Sequence, residues 1–178
     1  MVDIGGRGRE SDGGIFKRSN MGERLNNNEL HIPPPEYIGN RRLLPYVIVA
    51  DEAFQLTNFM LRPYPGRGYT ELNDSKKIFN YRLSRARRVI ENTFGILVLI
   101  NDDKCQYITP GYVDYENRNG EIVYGTWRSE IESQNALGEI SRTGSNTFTR
   151  NAGQIRDEFS CYFNEEGAIP WQWNRNHN

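Results

Sequence analysis

The chain is poor in the residues that carry most nucleophilic and soft-metal chemistry. It has two cysteines, Cys105 and Cys161, and two histidines, His31 and His177. Thiols so far apart in sequence build neither a zinc knuckle nor a disulfide scaffold, and they read as free thiols of a reducing compartment. His31 stands before a proline run and His177 beside the last residue, which argues against Cys/His or Ser/His nucleophilic catalysis. Long apolar runs are also missing. The stretch Ile96 to Ile100 falls far short of the roughly 20 residues a bilayer-spanning helix needs, and no secretory leader is expected. Nor does one sign of charge dominate: 22 basic and 23 acidic residues leave a net charge of -1. Attraction to a polyanion must therefore be local.

Apolar residues are 37% of the 178, and the mean hydropathy is -0.75. A chain of this length ordinarily buries about two-thirds of its surface as one domain. This composition instead concentrates the core in about the first hundred residues.

What is present begins with Tyr46-Val47-Ile48-Val49-Ala50, a β-branched, uncharged run that reads as a strand buried on both faces. Pro45 fits its first position, and Asp51 sits at its carboxyl end, where ligands bind in open α/β sheets. The clearest periodic segment follows. From Ser75 to about Leu97, Phe79, Leu83, Ala86, Ile90, Phe94 and Leu97 recur at steps of three and four, with Ile78 and Val89 widening the stripe. Asp74 or Ser75 supplies the N-cap. The rest of the helix surface carries Lys76, Lys77, Arg82, Arg85, Arg87 and Arg88. With Arg41 and Arg42, these form the local basic charge that steers phosphates. Glu91 is the only acid between Ser75 and Leu97, about 100° round the axis from the stripe and near Ser84, Arg87, Arg88 and Gly95. Two readings stay open. Glu91 borders a cleft and shares a hard dication with Asp51, or it pairs with Arg87 or Arg88 on a solvated face.

The remaining chain divides by its punctuation. Val2 to Ile4 reads as the end of a strand, and Gly5-Gly6-Arg7-Gly8-Arg9 as a turn rather than a phosphate cradle. Ser11 or Asp12 caps a helix running to about Leu25 through Ile15, Phe16 and Met21. An Asn26–Asn28 and Pro33–Pro35 connector follows. Asp12 reads as a capping acid more readily than as a metal ligand, and Glu52, next to Asp51, points elsewhere. From 101 to 148 no period emerges, so the segment is expected to be irregular or disordered. Thr149-Arg150-Asn151 opens a short amphipathic helix through Ile155, Phe159 and Phe163. Trp171 and Trp173 beyond it dock on the core or on another protein. Three segments result: 1–100, 101–148 and 149–178.

Several ordered motifs then point one way. Val49-Ala50-Asp51-Glu52-Ala53-Phe54, Leu61-Arg62-Pro63-Tyr64-Pro65-Gly66 and the run from Phe79 to Gly95 resemble the Harbinger transposase-derived nucleases, of the DDE endonuclease superfamily. Val2 to Phe16, Thr109 to Asp114, and Arg150-Asn151-Ala152 through Pro170-Trp171-Gln172 are similar to other parts of that family. The resemblance implies a partial, truncated ribonuclease H-like α/β fold with a largely irregular C-terminal tail. It implies that Asp51 and Glu91 are the second and third acids of a DDE triad and ligands of a divalent metal cation, Mg²⁺ or Mn²⁺. It places the first acid before Val2, where this chain has no room for it. It also expects a packing helix after the turn at Phe94 to Leu97, which this sequence replaces with Asn101-Asp102-Asp103-Lys104-Cys105.

The function this implies is hydrolysis or transfer of DNA phosphodiesters, with negligible activity for this chain alone. Arg82, Arg85, Arg87 and Arg88 are the expected DNA contacts, a separate Myb-like DNA-binding protein the expected partner, and the nucleus the expected location, with the cytoplasm second. The alternative is a domesticated scaffold that binds DNA or protein without catalysis, and a third is a product with no independent fold.

Overall fold

The computed structural model describes residues 11–39, 41–66, 72–101, 110–129 and 147–175. Val2 to Ile4, the loop Gly5 to Arg9, Cys105 and His177 lie outside them. The described residues mix helices with small sheets, which is the α/β class expected.

Ser11 does cap the first helix, accepting the Gly14 amide, and Asp12 is its first residue. The single helix expected to Leu25 is instead two, α1 (Asp12–Arg18) and α2 (Asn20–Asn26). Ser19 breaks it. With extended backbone (φ -69°, ψ 152°), its hydroxyl turns to accept the Gly22 amide at 3.1 Å and so caps α2. A local hydroxyl that competes with the helix ladder explains the interruption.

The connector leads into a hairpin that the sequence reading did not anticipate. β1 (Glu36–Ile38) runs antiparallel to β2 (Arg42–Leu44), with Gly39 at φ +62° in the turn. The expected strand at 46–50 shortens to β3 (Ile48–Val49), parallel to β4 (Met60–Leu61). Hydrogen bonds from Ile48 N to Phe59 O and from Ala50 N to Leu61 O, both 2.8 Å, bracket the ladder. Ile48 and Val49 are half-buried rather than covered on both faces, and Tyr46 is exposed.

The long helix α3 spans Asp74–Asn101, four residues past the expected end, so Ile96 to Ile100 continue it instead of turning. Its cap is Asn73 rather than Asp74 or Ser75: Asn73 Oδ1 accepts the Lys76 amide at 3.0 Å. After β5 (Tyr115–Glu116), antiparallel to β6 (Ile122–Val123), the last helix is α4 (Arg150–Asn164), which opens at the expected Thr149-Arg150-Asn151 with Thr149 as its cap. A 3-10 turn (Pro170–Arg175) closes the described chain.

Packing divides the chain into two compact units, 1–83 with 140–178, and 84–139. In the first, Leu44, Leu56, Leu61, Tyr64, Phe79 and Leu83 form a buried cluster with Ala152 and Phe159 of α4. The core is therefore not confined to the first hundred residues. Helix α4 lies against β2, because Arg42 draws its end in through Glu158, Glu165 and Glu166 at 2.7, 2.5 and 2.9 Å. Arg42 is thus neutralised at home. Trp171 docks edge-on against Tyr81, ring centroids 5.9 Å apart, while Trp173 stays exposed.

In the second unit, α3 carries the β5–β6 hairpin and the turn at 125–129. The apolar stripe behaves differently along the helix. Ile78, Phe79 and Leu83 are buried, whereas Val89, Ile90, Phe94 and Leu97 are exposed among the described residues. Residues 110–129 of the segment expected to be irregular are built as this hairpin and turn. Asn117 organises it, its side chain accepting the amides of Asn119 and Glu121, both at 2.9 Å.

Candidate functional site

Asp51 lies two residues past β3, in the first unit. Its Oδ1 accepts the Ala53 amide at 2.9 Å, and its carbonyl accepts the Phe54 amide at 3.3 Å. This Asx turn directs a half-buried carboxylate, the local hydrogen bonding that short acidic side chains favour after a strand.

Glu91 lies in the second unit and both its oxygens are engaged. Oε1 accepts from Arg87 at 3.2 Å and Oε2 from Arg128 at 2.9 Å. The pairing with Arg87 is one of the two alternatives left open by its position on the helix. Arg128 was not singled out from the sequence, nor was Asp114, which had no role beyond its motif. Yet Asp114 organises this unit. Its side chain is fully buried and accepts from Gly125 N at 2.8 Å, Trp127 Nε1 at 3.1 Å and Arg128 Nε at 3.1 Å. Arg128 Nη2 also bonds Asp114 Oδ2, and the same nitrogen reaches Glu91. Burial alone raises the Asp114 pKa, but the bonds from Arg128, Gly125 and Trp127 outweigh it and hold the carboxyl below its ordinary range. Asn92 ties the helix to the same residue, exchanging bonds with Asp114 O (2.9 Å) and Asp114 N (3.1 Å). The available signal was a lone acid in an aromatic stretch, followed by Gly125-Thr126-Trp127-Arg128.

The four arginines expected to meet DNA differ in their surroundings. Arg82 donates to Gly167 O at 3.2 Å and Gln172 Oε1 at 3.1 Å and stacks over Phe163. Arg85 pairs with Glu116 at 2.5 Å and Arg87 with Glu91. Arg88 is half-buried and makes no ion pair among the described residues. It lines a cavity of about 130 Å³ with Ser84, Glu91, Asp114, Tyr124 and Arg128.

A sequence profile described as DDE superfamily endonuclease matches residues 1–98, more than half of the chain. The chain belongs to that family, whose domain implies the ribonuclease H-like fold and a role on DNA. No curated protein and no solved structure matches it.

Endonucleases of this class generally use divalent metals. Asp51 fits such a cation, as an oriented, half-buried carboxylate. Glu91 in this arrangement does not, because an arginine holds each of its oxygens. Among the described residues no group of three or more Asp, Glu, His or Cys side chains is placed to hold a metal ion, and no helix is long and apolar enough to cross a membrane.

Proposed function

We propose that this chain is a divalent-metal-binding, transposase-derived DDE endonuclease-like protein of the Harbinger lineage, directed at DNA phosphodiesters. Asp51 is read as the ligand presented for Mg²⁺ or Mn²⁺, and Glu91 as a second ligand held in reserve. Family membership together with the oriented Asp51 carboxylate carries this reading. Because each Glu91 oxygen accepts from an arginine, a cation there must first displace Arg87 or Arg128, so cleavage by this chain alone is expected to be negligible. Arg88 is read as the leading phosphate contact, with Arg82, Arg85 and Arg87 contributing once their present partners release them. A Myb-like DNA-binding partner and a nuclear location belong to the same reading.

Duplex DNA binding followed over a salt series tests it. Phosphate contacts make affinity fall steeply with salt, and Arg88→Ala should weaken binding and reduce the log-log slope by about one. An unchanged slope would remove Arg88 from the interface. Robust Mg²⁺-dependent cleavage that disappears in Asp51→Ala and Glu91→Ala would overturn the expected inactivity.

A further inference from the structure

We propose that Arg62 is the positioning residue of Asp51, fixing the turn from which that carboxylate projects; this rests on the reading of Asp51 given above. Asp51 is tied to its own turn twice, through Oδ1 to Ala53 N at 2.9 Å and through its carbonyl to Phe54 N at 3.3 Å. The direction of the carboxylate is therefore the direction of the turn. Arg62 follows β4, one residue after Leu61, whose carbonyl accepts the Ala50 amide at 2.8 Å. The parallel ladder thus brings Arg62 alongside Asp51's neighbour.

From there its side chain folds beneath the turn, only 2% exposed. Nη1 donates to Phe54 O at 3.0 Å and to Glu52 O at 3.5 Å. The intervening carbonyl is closed from the other side, since a Cβ on Gly13 would stand 2.8 Å from Ala53 O. The Phe16 and Phe54 rings meet edge-on at 5.8 Å beside it. Of three successive carbonyls, two are thus bonded by one buried cation and the third is packed close to Gly13.

Burying a charge is costly unless polar groups compensate it, and a core position needing only volume would suit leucine or methionine. Both bonds leave one nitrogen, Nη1, whose two N–H groups are fixed in the guanidinium plane, so the pair of carbonyls is held in a set direction that a freely rotating ammonium does not impose. Arg62 touches backbone around Asp51 and acts through it.

Amide hydrogen exchange, read residue by residue on the full chain, tests the assignment. In Arg62→Met the Ala53 and Phe54 amides should lose at least about tenfold in protection while Phe79 and Leu83 keep theirs, because a lost clamp opens the turn without opening the core. Arg62→Lys should fall between the two, and it decides the question by the same comparison if Arg62→Met does not fold. Unchanged protection at Ala53, or loss at Ala53 only in step with Phe79 and Leu83, would overturn the proposal. A paramagnetic arm separates the two readings. Mn²⁺ broadening centred on Asp51 should require at least about tenfold more metal in Arg62→Met, as for other residues that orient ligands. Absence of any broadening at Asp51 in the parent chain would overturn its metal role, while the exchange comparison would still decide whether Arg62 fixes the turn.

Discussion

Asp114 is buried, ionised and surrounded by donors, so its charge is part of the fold and not a surface ornament. Removing one partner of a buried ion pair costs about 3–5 kcal/mol, whereas an exposed pair contributes about 0–1 kcal/mol. Asp114→Asn should therefore destabilise the second unit by about 3 kcal/mol, measured by urea unfolding followed through Trp127 fluorescence. The pH dependence has a definite sign. The folded carboxyl titrates below its ordinary range, so its contribution is complete above the unfolded value of about 4 and is lost as pH falls through the depressed folded value. The stability gap between parent and Asp114→Asn should hold at neutral pH and close in acid below about pH 4. A gap that widens in acid would contradict this. Glu91 belongs to the same network through Arg128, in addition to the pairing with Arg87 that its place on a basic helix allowed.

Helix α3 shows what periodicity does and does not reveal. Steps of three and four located the helix and its buried residues Phe79 and Leu83, because one apolar face must find cover. The same steps extended to Ile90, Phe94 and Leu97, which are exposed among the described residues. There the second unit packs on another face, through Asn92, Gly95 and Glu91. Gly95 is buried, and a Cβ on it would lie 2.7 Å from the Trp127 ring. A glycine inside a helix reads from sequence only as a propensity loss, so the indole that requires it was not visible there. Gly95→Ala should destabilise the second unit by about 1–3 kcal/mol despite alanine's better helix propensity, seen as a lower urea midpoint and a shifted Trp127 emission. Stabilisation would mean that the indole moves aside freely. Likewise, Ser19 turned one expected helix into two because its hydroxyl competes with the ladder, a local choice that apolar spacing does not record.

The first unit is built from distant parts of the chain: β2, the segment after β3 and the start of α3 meet α4 from beyond residue 149. Sequence spacing located α4 and its apolar side, but not its partner, since contacts between remote segments leave no trace in a local pattern. Arg42 exemplifies this, a basic residue that reads as phosphate-steering until three glutamates of distant number surround it. Phe159→Ala should cost the whole unit about 3–5 kcal/mol as a core truncation, and loss confined to α4 would contradict its role in a shared core. The place of Asp51 just past β3 was legible, because a strand end followed by an acid is a local arrangement. Of the arginines that hold Glu91, Arg87 was legible one helical turn away, whereas Arg128 was not, because the hairpin brings it in. The proposed cation binding depends on the Asp51 carboxylate. Calorimetric titration of the full chain with Mn²⁺ should show a single saturable site, weakened at least about tenfold by Asp51→Asn. No binding in the parent, or binding indifferent to Asp51→Asn, would contradict it.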